Sequence, residues 1–210
     1  MKNERRNFDQ EAASWDLNAG RVKLAADIAQ TILKEIKLTQ DMDILDFGCG
    51  TGLLSLALQP FVHSVTGVDS SQGMLDVFRR KITENGLQNV KAQYIDLEKG
   101  DVFSGSYHLV VSSMTLHHIK NISPLLKQFC SVLYLSGFLA IADLDLDNGQ
   151  FHGDNKGVFH FGFNREDLHR MIENAGFRDI QESQAASIKK PAGDGKSRLF
   201  TIFLMIGRKQ

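Results

Sequence analysis

Asp46, Gly48, Gly50 and Gly52 fall on alternate positions in ILDFGCGTG (residues 44–52), at the end of a short apolar run. Glycines at this spacing let a backbone approach a ligand closely and adopt dihedrals that other residues avoid. A phosphate loop needs GxxxxGK[ST], and no lysine follows here. A dinucleotide fingerprint needs GxGxxG, and Leu53 stands where its third glycine belongs. An acid at Asp46 also sits badly beside an anionic pyrophosphate. It suits a ligand with a cationic amino-acid end, and the plainer alternative is that it caps the next helix.

Other residues offer acid–base or metal chemistry. His117 and His160 are candidates for a general base acting on an oxygen or nitrogen nucleophile, because histidine titrates near neutrality. Surface or packing roles compete with that reading. His117, His118, His152 and His160 show no convergent metal-ligand spacing. Asp143, Asp145, Asp147 and Asp154 fall on positions 1, 3, 5 and 12 of a calcium loop, but Asn148 replaces its glycine and Leu144 and Leu146 continue a strand. No metal is expected; these acids read as a polar rim at a strand end. Phe159, Phe161 and Phe163 alternate, and either line an apolar pocket or anchor their loop to the core.

These groups need elements to hold them. Strands are expected at 43–47, 62–68, 90–95, 107–112 and 138–142, the last after a Ser136–Gly137 turn, with two more at 177–186 and 198–207. Helices are expected from Val22 to Ile36, Leu53 to Leu58 (stopped by Pro60) and Met74 to Asn85. A further helix opens at Ser123–Pro124 as N-cap and first turn, and another at an Asn164–Asp167 capping pair. Phe8 to Asn18, with Phe8 and Trp15, reads as a short helix that either covers the site or packs outside the sheet. Strands alternating with helices give an α/β fold: a doubly wound, Rossmann-like, seven-stranded and mostly parallel sheet. The link from Ile188 to Lys196 is too short for a helical crossover, so the last strand runs antiparallel. The segment from Asp147 to Phe163 is a long loop over the carboxyl edge of the sheet, where open α/β sheets bind their ligands.

The pattern D-x-G-x-G-x-G after a first strand resembles the cofactor loop of class I S-adenosylmethionine-dependent methyltransferases. VTGVDSS, YIDLE, YHLVVSSMTLHHI and LYLSGFLAIADLD are similar to later motifs of that family in the right order, over about residues 40–145. The resemblance implies S-adenosyl-L-methionine as co-substrate, with Asp46, Gly48, Cys49, Gly50, Gly52, Asp69, Ser70, Met74, Asp96, Leu97 and Ser112 around it. In that reading Asp46 orients the ammonium group, Asp69 takes both ribose hydroxyls and Asp96 faces the adenine amino group. Two positions depart from the pattern. His108 stands where an acid is frequent, which alters the polar contact near the methionine end, and Ser136–Gly137 replaces Pro-Gly.

The 210 residues fit one domain, 1–210, in which residues 1–37 form a helical cap. Formal net charge is −1, so no overall field favours nucleic acid. No apolar run is long enough to span a membrane, the start lacks a secretory h-region, and two cysteines without CxxC spacing fit reduced thiols in the cytoplasm. The expected activity is methyl transfer to a small-molecule acceptor. The alternatives are a catalytically inactive S-adenosylmethionine-binding partner module and, less well matched, a nicotinamide-dependent oxidoreductase.

Overall fold

The computed structural model describes residues 5–192 and 195–210. Two 3₁₀ turns, Phe8–Gln10 and Ala12–Leu17, lead into α1 (Ala19–Glu35). Then follow β1 (Asp43–Phe47), α2 (Leu53–Leu58), β2 (Ser64–Asp69), α3 (Gln72–Glu84), β3 (Val90–Tyr94) and β4 (Tyr107–Ser113). The chain continues through α4 (Ile122–Val132), β5 (Leu133–Leu144), α5 (Arg165–Asn174), β6 (Phe177–Pro191) and β7 (Ser197–Lys209). The seven strands form one sheet in the order β3-β2-β1-β4-β5-β7-β6. β1 to β5 pair in parallel, and β7 runs antiparallel to both neighbours, as the short link before it requires. Positions 193 and 194 of that link lie outside the described residues, as do positions 1–4 of the expected cap.

Alternation along the strands divides the core. Ile44, Val65, Leu109 and Val111 face one layer of helices, packing with Ile28 and Ile32 of α1 and with Leu54 and Leu58 of α2. Leu45, Val68, Val110 and Ile141 face the other way, onto Leu125 and Phe129 of α4 and Leu168 and Ile172 of α5. Each fully buried side chain of this kind contributes about 1.5–3 kcal/mol. With helices on both faces, the open edges are the ends of the strands, and at β1 and β4 the carboxyl ends lie side by side.

Three local expectations change. Ser136 and Gly137 lie within β5, where Tyr107 pairs with Leu133 and Leu109 already pairs with Phe138. The extra residues bulge out through Ser136, whose φ is 64°. Proline, locked near −65°, could not take that conformation. α4 starts at Ile122 with Asn121 before it and no side-chain cap, so Ser123 is not the N-cap. Pro124 is still tolerated because first-turn N–H groups have no intrahelical acceptor. The Phe8–Asn18 stretch forms two 3₁₀ turns rather than one helix; Asn18 caps α1 by accepting from the N–H groups of Gly20 and Arg21. The pair at α5 forms as expected on one side, Asn164 accepting from the Asp167 N–H at 3.1 Å.

Candidate functional site

The carboxyl ends of β1, β2 and β4 open into one cavity of about 1780 Å³. Its floor is the loop after β1. Gly48, Gly50 and Gly52 all have positive φ (71°, 53° and 81°), which explains why glycine recurs there. They do different work. A Cβ on Gly50 would meet nothing within 4 Å, so this position is open towards the cavity. A Cβ on Gly52 would lie 2.1 Å from the Phe78 ring. Gly52 is thus not a contact residue as expected; it does not line the cavity, and it lets α3 pack against the loop through Phe78.

That difference is measurable. Gly52→Ala combines left-handed strain of about 1–2 kcal/mol with overpacking of about 1–3 kcal/mol. Thermal unfolding should therefore shift down by about 5–20 °C, and for Gly50→Ala, which carries the strain without the clash, by about 2–8 °C. Equal melting temperatures for wild type and Gly52→Ala would contradict this packing role.

Asp46, one residue before the end of β1, lies in the cavity wall and is 1% exposed. It accepts from the Ser55 hydroxyl at 2.5 Å and from the Ser55 backbone N–H, so part of the helix-capping alternative is realised. Burial, reinforced by the nearby Asp69 charge, pushes its carboxyl up to about 7 against the effect of Ser55. A cationic group in the cavity would relieve that cost. Asp69 is raised too, chiefly by burial, although the N–H groups of Ser71 (2.9 Å) and Gly50 (2.8 Å) favour its charge. The Ser70 N–H adds a third bond, and a carboxylate has about four lone-pair sites, so capacity for a ligand remains. Cys49, Ser70, Met74 and Leu97 line the same cavity.

The N-terminal segment lies across this wall. Arg5 donates to Asp96 and to the Ser70 hydroxyl, both at 2.8 Å. Burial alone would raise the Asp96 carboxyl, but the Arg5 hydrogen bond and charge outweigh it and hold it low. Asp9 accepts from Ser71 (2.6 Å) and from the Gly73 N–H (2.8 Å), which docks the first 3₁₀ turn on the start of α3. Thr51 donates to Asp16 at 2.6 Å, and Lys81 pairs with the same carboxylate. Phe8 and Trp15 face the cavity, with the Arg21 guanidinium 3.7 Å over the Trp15 ring.

The same cavity holds three histidines, and the N-terminal segment touches them too, Phe8 packing on His118 at 5.1 Å. His117 is buried at 1% exposure and its Nδ1 lies 2.6 Å from Asp143, itself fully buried. That bond makes Nδ1 the donor and turns Nε2 outward as an acceptor. His152 Nε2 lies 3.1 Å from His117 Nε2, and Arg6 reaches His152 Nδ1 at 3.4 Å. His118 Nδ1 donates to the Gly157 carbonyl at 2.8 Å. Burial, then the neighbouring imidazoles, lower His118 to about 4 and His152 to about 2. One ring nitrogen from each of His117, His118 and His152 lies within 4.8 Å of the others. Spacing could not show this, because His152 arrives from the loop after β5, which places Phe151, His152, Gly153, Gly157 and Phe159 at the cavity.

Three expected site residues lie elsewhere. His160 does not line the cavity: its Nε2 donates to the Ile119 carbonyl at 2.9 Å and its ring packs on Phe163. Ser112 points to the α4 side of the sheet, as period-two alternation demands, and its neighbour Ser113 lines the cavity instead. His108 sits at the amino end of β4, where Nδ1 accepts from the Asp43 N–H at 3.0 Å, so it alters nothing near the glycine loop. The phenylalanines divide: Phe159 lines the cavity, Phe163 is core and Phe161 is half exposed. The rim acids do not converge, since Asp145 pairs with Arg165 and Asp147 accepts from Gly149 and Phe151 within its own loop.

Comparison with known proteins agrees with this arrangement. Residues 44–137 match the model of a methyltransferase domain. An uncharacterised methyltransferase of Schizosaccharomyces pombe is 31% identical over 176 residues, which cover 77% of this chain and 62% of that protein. The chain spans less than two thirds of the length of the curated relatives it matches. The YcgJ protein from Bacillus subtilis superimposes with a TM-score of 0.73 at 17% identity, over 87% of this chain and 98% of that one. A Haemonchus contortus phosphoethanolamine N-methyltransferase, solved with S-adenosyl-L-methionine, gives 0.70 at 17% identity, over 97% of this chain and 60% of that one. At such identities the two structures speak for the fold.

Proposed function

We propose that this chain, which belongs to the class I S-adenosylmethionine-dependent methyltransferase family, transfers a methyl group from S-adenosyl-L-methionine to a small-molecule acceptor. The observation that carries the reading is the buried, raised Asp46 carboxyl beside a glycine loop that is open at Gly50, a fit for a cationic amino-acid end rather than a phosphate. The sulfonium supplies the reactive methyl, and the protein's part is to bind and orient. Asp46 orients the ammonium, Asp69 receives the ribose hydroxyls, and Asp96, steadied by Arg5, stands at the adenine end with Leu97. Positioning alone is worth about 7–11 kcal/mol of barrier.

The acceptor enters from the histidine end. His117, fixed by Asp143, receives the acceptor's proton on Nε2 as the new bond to carbon forms, once His152, now 3.1 Å from that atom, gives way. Phe151 and Phe159 make that end apolar, and the described chain acts as one domain whose segment 5–37 covers the cofactor end. No helix among the described residues is long and apolar enough to cross a membrane. The two free cysteines support a reducing, cytoplasmic setting. The direct test is an isotope-labelled methyl donor incubated with a metabolite pool. Label should pass to one acceptor class; binding of the donor without any transfer would favour an inactive binding module.

The Asp46 carboxyl makes the reading sensitive to pH. With its value raised to about 7, the free protein holds this carboxyl protonated below that pH. Only the ionised form attracts an ammonium group. Donor affinity should therefore rise between about pH 5.5 and about pH 7.5, with proton release on binding at the lower pH. Calorimetry in buffers of different ionisation enthalpy reads both effects. A flat profile in wild type, or the same slope in Asp46→Asn, would remove Asp46 from the ammonium site.

A further inference from the structure

We propose that His117, His118 and His152 bind a divalent cation of the zinc class at the acceptor end of the cavity. One ring nitrogen of each already lies within 4.8 Å of the others, and all three rings line the cavity. Three imidazoles and an open fourth position are a donor set that suits zinc and its neighbours rather than calcium or magnesium. The surroundings are those of a metal site. Asp143 accepts from His117 Nδ1, and the Gly157 carbonyl accepts from His118 Nδ1, so in both rings Nε2 is left to ligate. Such outer contacts fix the tautomer and the ring orientation of metal-bound histidines.

One present contact has to give. His152 Nε2 now meets His117 Nε2 while Arg6 reaches His152 Nδ1. An ion between the rings takes the Nε2 lone pair, and the His152 proton moves to Nδ1. Arg6 then turns away, and Glu11, which already accepts from its Nε at 2.8 Å, retains it. The rings are near enough for small rotations to close the site, their centroids being 4.2 to 5.5 Å apart.

The consequence for chemistry rests on the methyl-transfer reading. The fourth position faces the cavity, so it favours acceptors with a hydroxyl or thiol. The ion lowers the pKa of that group, and its proton leaves to solvent. The acceptor lone pair then forms the bond to the methyl carbon as the carbon–sulfur bond of the sulfonium breaks, its electron pair returning to sulfur. With the ion in place His117 acts as a ligand, and the ion takes over from its lone pair the task of drawing off the proton.

Chelator-cleared, untagged protein titrated with Zn²⁺ tests the site, with Co²⁺ as a spectroscopic probe and donor binding measured on the same sample. One ion per chain should bind, and Co²⁺ should show the intense visible bands of a four-coordinate site. His118→Gln and His152→Gln should each weaken Zn²⁺ more than about a hundredfold, and Asp143→Asn about 10–100-fold, with His160→Gln unchanged. Circular dichroism checks folding in every variant. Absence of stoichiometric Zn²⁺ in protein that still binds the donor would overturn the site and leave the methyltransferase reading intact. Equal Zn²⁺ affinity in folded wild type and His152→Gln would overturn it as well. Zinc binding in protein that fails to bind the donor would support the site while refuting the function.

Discussion

Replacing His117 with glutamine is expected to lower methyl-transfer turnover by about 10²–10⁴-fold while leaving donor affinity within about twofold. The reason is geometric. His117 is the one cavity-lining histidine among the described residues with a buried carboxylate behind it, 2.6 Å from Nδ1. That carboxylate fixes the ring and leaves Nε2, which faces His152 at 3.1 Å, as the atom that takes the proton. Glutamine retains a polar group that can reach Asp143, whereas alanine would strand a buried acid and cost about 3–5 kcal/mol. Steady-state kinetics with the acceptor returned by the labelled-donor screen, beside donor calorimetry, separates chemistry from binding. Wild-type turnover in folded His117→Gln would remove this residue from the reaction. His160→Gln serves as the comparison, since its ring is committed to the Ile119 carbonyl outside the cavity.

The second large effect is at Asp69. Asp69→Ala is expected to weaken donor binding by about tenfold to a hundredfold or more, since each lost charge-assisted hydrogen bond is worth about 1.5–3 kcal/mol. Two contributions act together. The ribose loses its acceptor, and the Gly50 and Ser71 N–H groups lose theirs. Asp69→Asn separates them, because its amide oxygen can still accept from one of those N–H groups. Asn should preserve loop stability better than Ala while still binding the donor weakly. Unchanged affinity in both folded variants would place Asp69 in the scaffold alone.

The two ends of the cavity were not equally legible in the sequence. The cofactor end is local: Asp46 and the three glycines sit in one nine-residue stretch, and Asp69 closes the next strand. Period-two apolar runs and helical stripes marked the strands and helices, and a short link marked the reversed β7. Even there, spacing could not separate a glycine that faces the cavity from one that faces Phe78, because both need positive φ. The family resemblance put Ser112 beside the cofactor, whereas period-two alternation turns it to the other face. The histidine cluster is assembled from the turn after β4, from β5 and from the loop after β5, so it has no sequence signature. His117 meets Asp143 across 26 positions and His152 across 35. The double histidine at 117–118 was the available signal, but its partner could come only from the folded loop. Arg5 on Asp96 is similar, a contact across 91 positions.

Above all, a cavity built this way should select a sulfonium donor over a dinucleotide. Isothermal titration calorimetry of the wild-type protein with S-adenosyl-L-methionine, its demethylated product and NAD tests that selection most directly. Both sulfur ligands should bind one to one, with NAD giving no measurable heat at the same concentrations. Preferential binding of NAD, or no binding of either sulfur ligand to the folded protein, would contradict it.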